Sequence, residues 1–127
     1  MPFRKPLYVF LVLSAMAIGG GAMIVSAATS IAQLGSDIDG EASSEMGRAV
    51  SLSADGTVVA IGAPFDAGQV RIYQYSNGSW SQLGLAIAGE DYSDQSGFSV
   101  SLSSDGTTVA IGAPGNDGNG ESSGHVR

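Results

Sequence analysis

Apolar and polar residues alternate along several short stretches of the chain, a pattern typical of β-strands with one buried face. In the first stretch Val50 and Leu52 lie on one face, and Ala49 and Ser51 lie on the other. Asp55-Gly56 then supplies the residues of a tight hairpin turn. The pattern predicts four short antiparallel strands: one around residues 49–53, then Thr57–Ala63, Gln69–Tyr75 and Ser79–Leu83, the last two joined by the turn Asn77-Gly78.

This strand pattern is repeated. Val50–Pro64 reads VSLSADGTVVAIGAP, and fifty positions later Val100–Pro114 reads VSLSSDGTTVAIGAP. A fixed period of this length is typical of repeat architectures. Four-stranded units of this size are the blades of β-propellers, which usually close with about four to eight blades. The sequence therefore predicts an all-β fold, a partial β-propeller of about two four-stranded antiparallel blades, preceded by an N-terminal hydrophobic signal or anchor helix.

The repeat also divides the chain. We assign residues 1–28 to a leader, residues 29–79 to the first repeat and residues 80–127 to the second, truncated repeat. Gly68–Arg71 returns as Gly124–Arg127, where the second copy stops within a predicted strand. Because an incomplete propeller exposes sheet edges that can pair with another chain, we expect further blades or other chains to close the fold.

The leader carries an export signal. Arg4 and Lys5 precede residues 6–28, a stretch without any charged side chain. A positive head, an apolar middle and small residues near Ala27 and Ala28 describe a secretory signal peptide cleaved at that point. The alternative is an uncleaved membrane anchor, since about 20 apolar residues can span a bilayer. Both interpretations carry the remaining chain out of the cytoplasm, as a secreted or cell-surface protein.

Charge and cysteine content narrow the classes of partner. Without the leader, Arg48, Arg71 and Arg127 stand against twelve acidic residues. This negative charge argues against nucleic acid as a partner, and against membrane contact other than through an uncleaved leader. The chain has no cysteine, so a disulfide scaffold is excluded and stability must come from core burial, metal or neighbouring repeats.

The stretch Gly97–Gly106, followed by Val109–Pro114, resembles the FG-GAP repeat of integrin α-subunit-type propellers. The resemblance extends from about Gln33 to Arg127. It implies a secreted or cell-surface β-propeller, and some members of the family bind calcium in a loop rich in acidic residues. Here serines replace two of the expected ligands in each Ser-x-Asp-Gly hairpin, so calcium is not expected in these turns.

Other loops offer weak calcium candidates. The loop Gly115–Ser123 carries four oxygen-bearing side chains at alternating spacing, Asn116, Asp117, Asn119 and Glu121. Acidic residues also crowd the segments before Gly47 and Gly97. Calcium prefers six to eight oxygen ligands, so these loops could hold it, but turn-forming composition and solvation explain the same residues. No cofactor other than calcium is expected.

The remaining candidates carry little chemistry. Asn77-Gly78-Ser79 is a formal N-glycosylation sequon, with Asn77 as the acceptor, that coincides with a predicted turn. His125 is the only histidine and has no recognisable catalytic partner. We therefore predict an exported, non-enzymatic repeat segment that acts as an extracellular adhesion or ligand-binding module for protein or carbohydrate. The alternatives are a fragment of a larger secreted propeller-containing enzyme, or an incomplete gene product with no independent function.

Overall fold

A computed structural model of the chain describes residues 31–127, and this range contains eight β-strands and no helix. The prediction of an all-β fold is confirmed for these residues. The predicted leader at residues 1–28 lies outside them, together with the cleavage candidates Ala27 and Ala28 and the alternative anchor at residues 6–28. The strands are β1 (Ala49–Leu52), β2 (Val58–Ala63), β3 (Gln69–Ser76), β4 (Ser79–Gln82), β5 (Ile87–Ala88), β6 (Ser99–Leu102), β7 (Val109–Ala113) and β8 (His125–Val126).

Between residues 31 and 127 there is no helix that could span a membrane.

The first five strands form one antiparallel sheet, sheet I, in the order β1-β2-β3-β4, with β5 paired to β3. The first four strands and the turns between them confirm the sequence prediction. Asn77 and Gly78, which join β3 to β4, have φ angles of 50° and 86°. Positive φ at both central residues is the type I′ geometry, whose twist matches that of the flanking strands.

The last three strands form a second antiparallel sheet, sheet II, in the order β6-β7-β8. The prediction of two four-stranded blades therefore differs from the structure in two details. Sheet II has three strands in the described range, β6, β7 and β8. Sheet I gains β5, whose two residues are too few to show the alternation that predicts a strand.

The boundary between the two sheets does not coincide with the predicted boundary between the two sequence repeats. The predicted boundary between residues 79 and 80 falls at the start of β4, yet β4 pairs with β3 through Tyr75–Trp80 and Tyr73–Gln82. The second repeat therefore contributes its first two strands, β4 and β5, to sheet I and its later strands to sheet II. This arrangement links the two sheets through the chain itself.

The hydrophobic core lies where sheet II packs against sheet I. Ala60 and Val70 of sheet I are fully buried, and Ile111 of sheet II is nearly so. Val100 and Leu102 of β6 pack against this cluster, as do Ile72, Ile87 and Val109. Complete burial of a valine side chain contributes roughly 1.5–3 kcal/mol, so the contact between sheets is a main source of stability.

Two glycines set the distance between the sheets. A Cβ atom on Gly62 of β2 would lie 2.9 Å from the carbonyl carbon and 3.2 Å from the Cα of Gly97, and closer still to the carbonyl oxygen. Gly97 has a φ of +88°, a conformation that residues with a side chain rarely adopt. Only glycine at both positions allows the two backbones to approach so closely.

Candidate functional site: a cleft between the two repeats

The Ser-x-Asp-Gly-Thr segments are closed by internal hydrogen bonds. In the first, Asp55 Oδ1 accepts hydrogen bonds from Ser53 Oγ at 2.7 Å, Thr57 Oγ1 at 2.9 Å and the Thr57 backbone N–H at 3.0 Å. Ser53 Oγ in turn accepts from the N–H of Val58 at 3.0 Å. These contacts hold the β1–β2 turn, and they lower the pKa of Asp55, chiefly through the Ser53 hydroxyl.

The second copy reproduces this network. Asp105 Oδ1 accepts from Ser103 Oγ at 2.6 Å and from Thr107 Oγ1 at 2.8 Å, and Ser103 Oγ accepts from the N–H of Thr108 at 3.0 Å. The Ser103 hydroxyl, followed by the Thr107 N–H and hydroxyl, lowers the pKa of Asp105 to about 2. Ser53 and Ser103, one of the two serines that replace acidic ligands in each hairpin, are therefore structural hydrogen-bond donors.

The structure separates the four calcium candidates of the loop Gly115–Ser123 by role. Asn116 is buried, and its amide donates to Asp94 Oδ2 at 3.2 Å while its Oδ1 accepts from the N–H of Gly118 at 3.0 Å. Asp117 Oδ1 accepts from the N–H of Ser122 at 2.5 Å. Asn119 and Glu121 are exposed.

Residues 31–127 contain no group of three or more His, Asp or Glu side chains arranged to hold a metal. Calcium binding here stays a prediction.

Asp94 is a structural residue that sequence reasoning left among the solvated acidic residues. It is 2% exposed, and its Oδ2 accepts from the backbone N–H groups of Glu90 at 3.0 Å and Asp91 at 2.9 Å. With the Asn116 amide it joins the loop before β6 to the loop before β8. The Asp91 N–H is the largest cause of its lowered pKa. The first repeat has Ser44 at the matching position, so comparison of the copies gave no signal for this role.

Two matching ion pairs tie loop residues to the strands. Arg71 of β3 donates to the carboxylate of Glu41, and Arg127 lies 3.4 Å from the carboxylate of Glu90. Glu41 and Glu90 occupy equivalent repeat positions, as do the two arginines. His125 lies 3.9 Å from Glu90. These acidic side chains therefore belong to the framework around the sheets.

The glycosylation candidate Asn77 lies in the turn between β3 and β4, next to the aromatic residues of these strands. Asn77 is exposed at the tip of the β3–β4 turn, a position open to modification. Tyr75 and Trp80 pack across β3 and β4 with ring centroids 5.3 Å apart, and Trp80 Nε1 donates to the carbonyl of Leu34 at 2.7 Å. Both rings therefore take part in packing within the fold.

A cleft of about 370 Å³ opens where the loops of the two repeats meet. Arg48 and Phe98, which occupy the same position in the two repeats, face each other across it, with the guanidinium carbon 5.2 Å from the ring centroid. This is cation–π geometry. Arg48 stands where the second repeat has Phe98, and the two side chains contact each other. The rest of the lining includes Phe65 and Tyr92, together with Glu45, Pro64, Asp66, Ser93 and Gln95.

The lining can bind by stacking and hydrogen bonding. Tyr92 is 75% exposed and Phe65 is 52% exposed, so both rings are open to a ligand. Arg48 adds hydrogen-bond donors, while Glu45 and Asp66 add acceptors. Sequence analysis missed this cleft because its residues come from three loops that only the packing of the sheets brings together.

Comparison with known families agrees with this architecture. A family model described as the FG-GAP repeat matches residues 80–126, a range that begins in β4 and ends in β8. No curated protein matches the chain. The resemblance seen in the Gly-Phe and Gly-Ala-Pro motifs is therefore confirmed for residues 80–126, which match the FG-GAP repeat.

Proposed function

We propose that this chain is an exported, non-enzymatic FG-GAP module that binds an extracellular protein or carbohydrate through the cleft of Arg48 and Phe98. FG-GAP repeats are typically non-catalytic ligand-binding propeller modules and occur mainly in extracellular or surface proteins. The export signal predicted at residues 1–28 points to the same location. The antiparallel sheets supply the rigid frame, and the loops between them supply the binding groups.

The observation that carries the proposal is the exposure of aromatic rings around an arginine at the junction of the two repeats. Aromatic and arginine side chains dominate the binding energy of many protein interfaces, because they bury a large area at a modest entropy cost. Exposed rings also stack on the apolar faces of sugars. Phe65 comes from the loop between β2 and β3, and Tyr92 and Phe98 come from the loop between β5 and β6, so a ligand that fills the cleft contacts both repeats.

The binding test uses the full chain on arrays of oligosaccharides and of purified extracellular matrix proteins, followed by titration of each hit. We expect Tyr92→Ala and Arg48→Ala to weaken binding by about tenfold or more, equivalent to roughly 1.4 kcal/mol. Leu85→Ala is the matched control, because Leu85 is 90% exposed and is not part of the cleft. Equal affinities for all four proteins would show that the cleft is not the binding site.

The export test follows the N-terminus of the full chain after expression in a host that secretes proteins. Mass spectrometry should find a secreted form that begins just after Ala27 or Ala28, as the small residues there predict. A membrane-bound form with an intact N-terminus would support the anchor instead. A full-length chain confined to the cytoplasm would contradict export.

A further inference from the structure

A second cavity, of about 340 Å³, lies between the segment before β1 and two strands of sheet I. Residues 36–39 line one side of it, and Tyr73 of β3 with Ser79 and Trp80 of β4 line the other. No residue of this cavity also lines the cleft between the two repeats. We call this cavity the Trp80 pocket.

The indole of Trp80 is fixed by the contacts around it. Its Nε1 donates a hydrogen bond to the carbonyl of Leu34 at 2.7 Å, and its ring packs against Tyr75 at an interplanar angle of 59°. A Cβ atom on Gly35, which has a φ of +75°, would lie 3.1 Å from Trp80 Cδ1, so glycine allows the segment before β1 to lie close to the ring. Because the indole is held in one orientation, ligand binding costs little additional side-chain entropy.

Asp37 and Asp39 place two carboxylates on the opposite side of the Trp80 pocket. Both side chains are exposed, and Asp37 Oδ1 accepts a hydrogen bond from Gln33 Nε2 at 2.8 Å. Among residues 31–127, the Asp39 carboxylate forms no hydrogen bond or ion pair. The acceptor capacity of Asp39 is therefore available to a ligand.

Comparison of the two repeats separates these two acids from the acids of the framework. The glutamates that form the two matching ion pairs are present in both repeats. Asp37 and Asp39, in contrast, correspond to Ala86 and Ala88. The fold of a repeat therefore does not require an acid at either position, which agrees with a role in binding.

The lining of the Trp80 pocket favours a positively charged ligand. It contains two carboxylates and no cationic side chain. Carboxylates only accept hydrogen bonds, and the Trp80 N–H is already used, so hydroxyl groups are the side-chain donors left in this lining. A neutral sugar needs donors as well as acceptors, whereas an organic cation brings the positive charge itself. The net charge of −7 on the chain further attracts cations.

We propose that the Trp80 pocket binds an organic cation, either the quaternary ammonium group of a small molecule or the side chain of a lysine or arginine. The rings of Tyr73 and Trp80 attract the cation through their π-systems, an interaction that strengthens as the cation loses water. Asp37 and Asp39 add Coulomb attraction from the opposite side. This site is separate from the cleft between the two repeats, so either proposal can fail without the other.

The first test uses the fluorescence of Trp80, which is the only tryptophan in the chain. The full chain is titrated at constant ionic strength with choline, with Nα-acetyl-lysine methylamide, and with the neutral carbon analogue of choline, in which a tert-butyl group replaces the trimethylammonium group. We expect a saturable change in emission with a cation, and binding of the neutral analogue about tenfold weaker or more. Tighter binding of choline assigns the site to quaternary ammonium ligands, and tighter binding of the lysine derivative assigns it to a peptide.

Three results of these titrations overturn the proposal. The first is no saturable change with either cation, both in fluorescence and in calorimetric titration. The second is equal affinity for choline and its neutral analogue, because the lining would then not select charge. The third is tighter binding of a methyl glucoside than of either cation.

The second test removes the carboxylates. Asp37→Asn and Asp39→Asn keep the size of each side chain, and circular dichroism checks that the variants fold. We expect Asp39→Asn to weaken cation binding about threefold or more, and the double variant to weaken it about tenfold or more. Asp91→Asn is the matched control, because Asp91 is exposed and lies outside the pocket. Wild-type affinity in the double variant, or an equal loss in Asp91→Asn and Asp39→Asn, overturns the proposal.

Discussion

Replacing Gly62 with alanine tests whether glycine contact sets the packing of the two sheets. The added Cβ would lie 2.9 Å from the carbonyl carbon of Gly97, whereas carbon atoms in van der Waals contact lie about 3.5–4.0 Å apart. The obstacle is backbone, so the sheets must separate by roughly half an ångström or more. Gaps of about 0.5–1 Å forfeit a quarter to a half of the dispersion energy at the surfaces they separate.

Overpacking of this kind typically costs about 1–3 kcal/mol, and a clash with backbone belongs at the upper end. We expect Gly62→Ala to lower the free energy of unfolding by about 3 kcal/mol. For a domain of this size, that corresponds to a fall in Tm of about 10–25 °C, because each kcal/mol shifts Tm by about 4–8 °C. The effect is measured by thermal and urea unfolding followed by circular dichroism.

Gly112→Ala is the matched control, because Gly112 occupies the same place in the second Gly-Ala-Pro motif. Its Cβ would meet the hydroxyl of Ser99, a side chain that can rotate away, and no backbone atom closer than 3.8 Å. The loss of unfolded-state entropy is similar for both variants and cancels in the comparison. Both are measured at a concentration where each is monomeric. Equal stability of the two variants would refute the role assigned to the Gly62–Gly97 contact.

Three further predictions concern the turns and loops. Because folding lowers the pKa of Asp105 to about 2, its stabilising contribution is present above about pH 4 and is lost as pH falls towards 2. Tm measured against pH should therefore fall less steeply in that window for Asp105→Asn, and an unchanged slope would contradict this. Asp94→Ala should lower Tm more than Asp91→Ala, because only Asp94 is a buried acceptor of several N–H groups; the reverse order would show that Asp94 does not join the loops. If the loop Gly115–Ser123 binds calcium, calorimetric titration gives heat and Tm rises, both abolished by Asp117→Asn; absence of heat and of stabilisation would rule out this site.

The strands and hairpins were predictable because their signals are local. Alternation in residues 49–53 and 57–63 and the Asn77-Gly78 turn depend on neighbours in sequence, and each gives the expected strand or turn. The repeat added a further constraint, since a second copy of the same pattern supports the same strands. The strand at which each sheet begins was not predictable from the repeat. The repeat shows that the same strands recur every fifty residues, but it does not show which of them pair in one sheet.

The candidate cleft and the buried acid depend on contacts between distant residues. Arg48 and Phe98 are fifty positions apart, and only the stacking of the sheets places the guanidinium over the ring. Asp94 looks like any other acidic loop residue until the loop before β8 covers it. Alternation likewise identified the two faces of β1 but could not tell that Val50 and Leu52 are the exposed ones.

Because β4 and β5 belong to the second repeat but pair with β3 in sheet I, the repeating unit of the sequence is not the unit of folding. A segment cut out as residues 80–126 takes β4 away from β3 and leaves both sheets incomplete. A newly inserted repeat, by contrast, arrives with a strand that completes the sheet before it. Chimeras that exchange repeats should therefore be joined after Ala88, where β5 ends, rather than at the repeat boundary, so that each sheet is inherited whole.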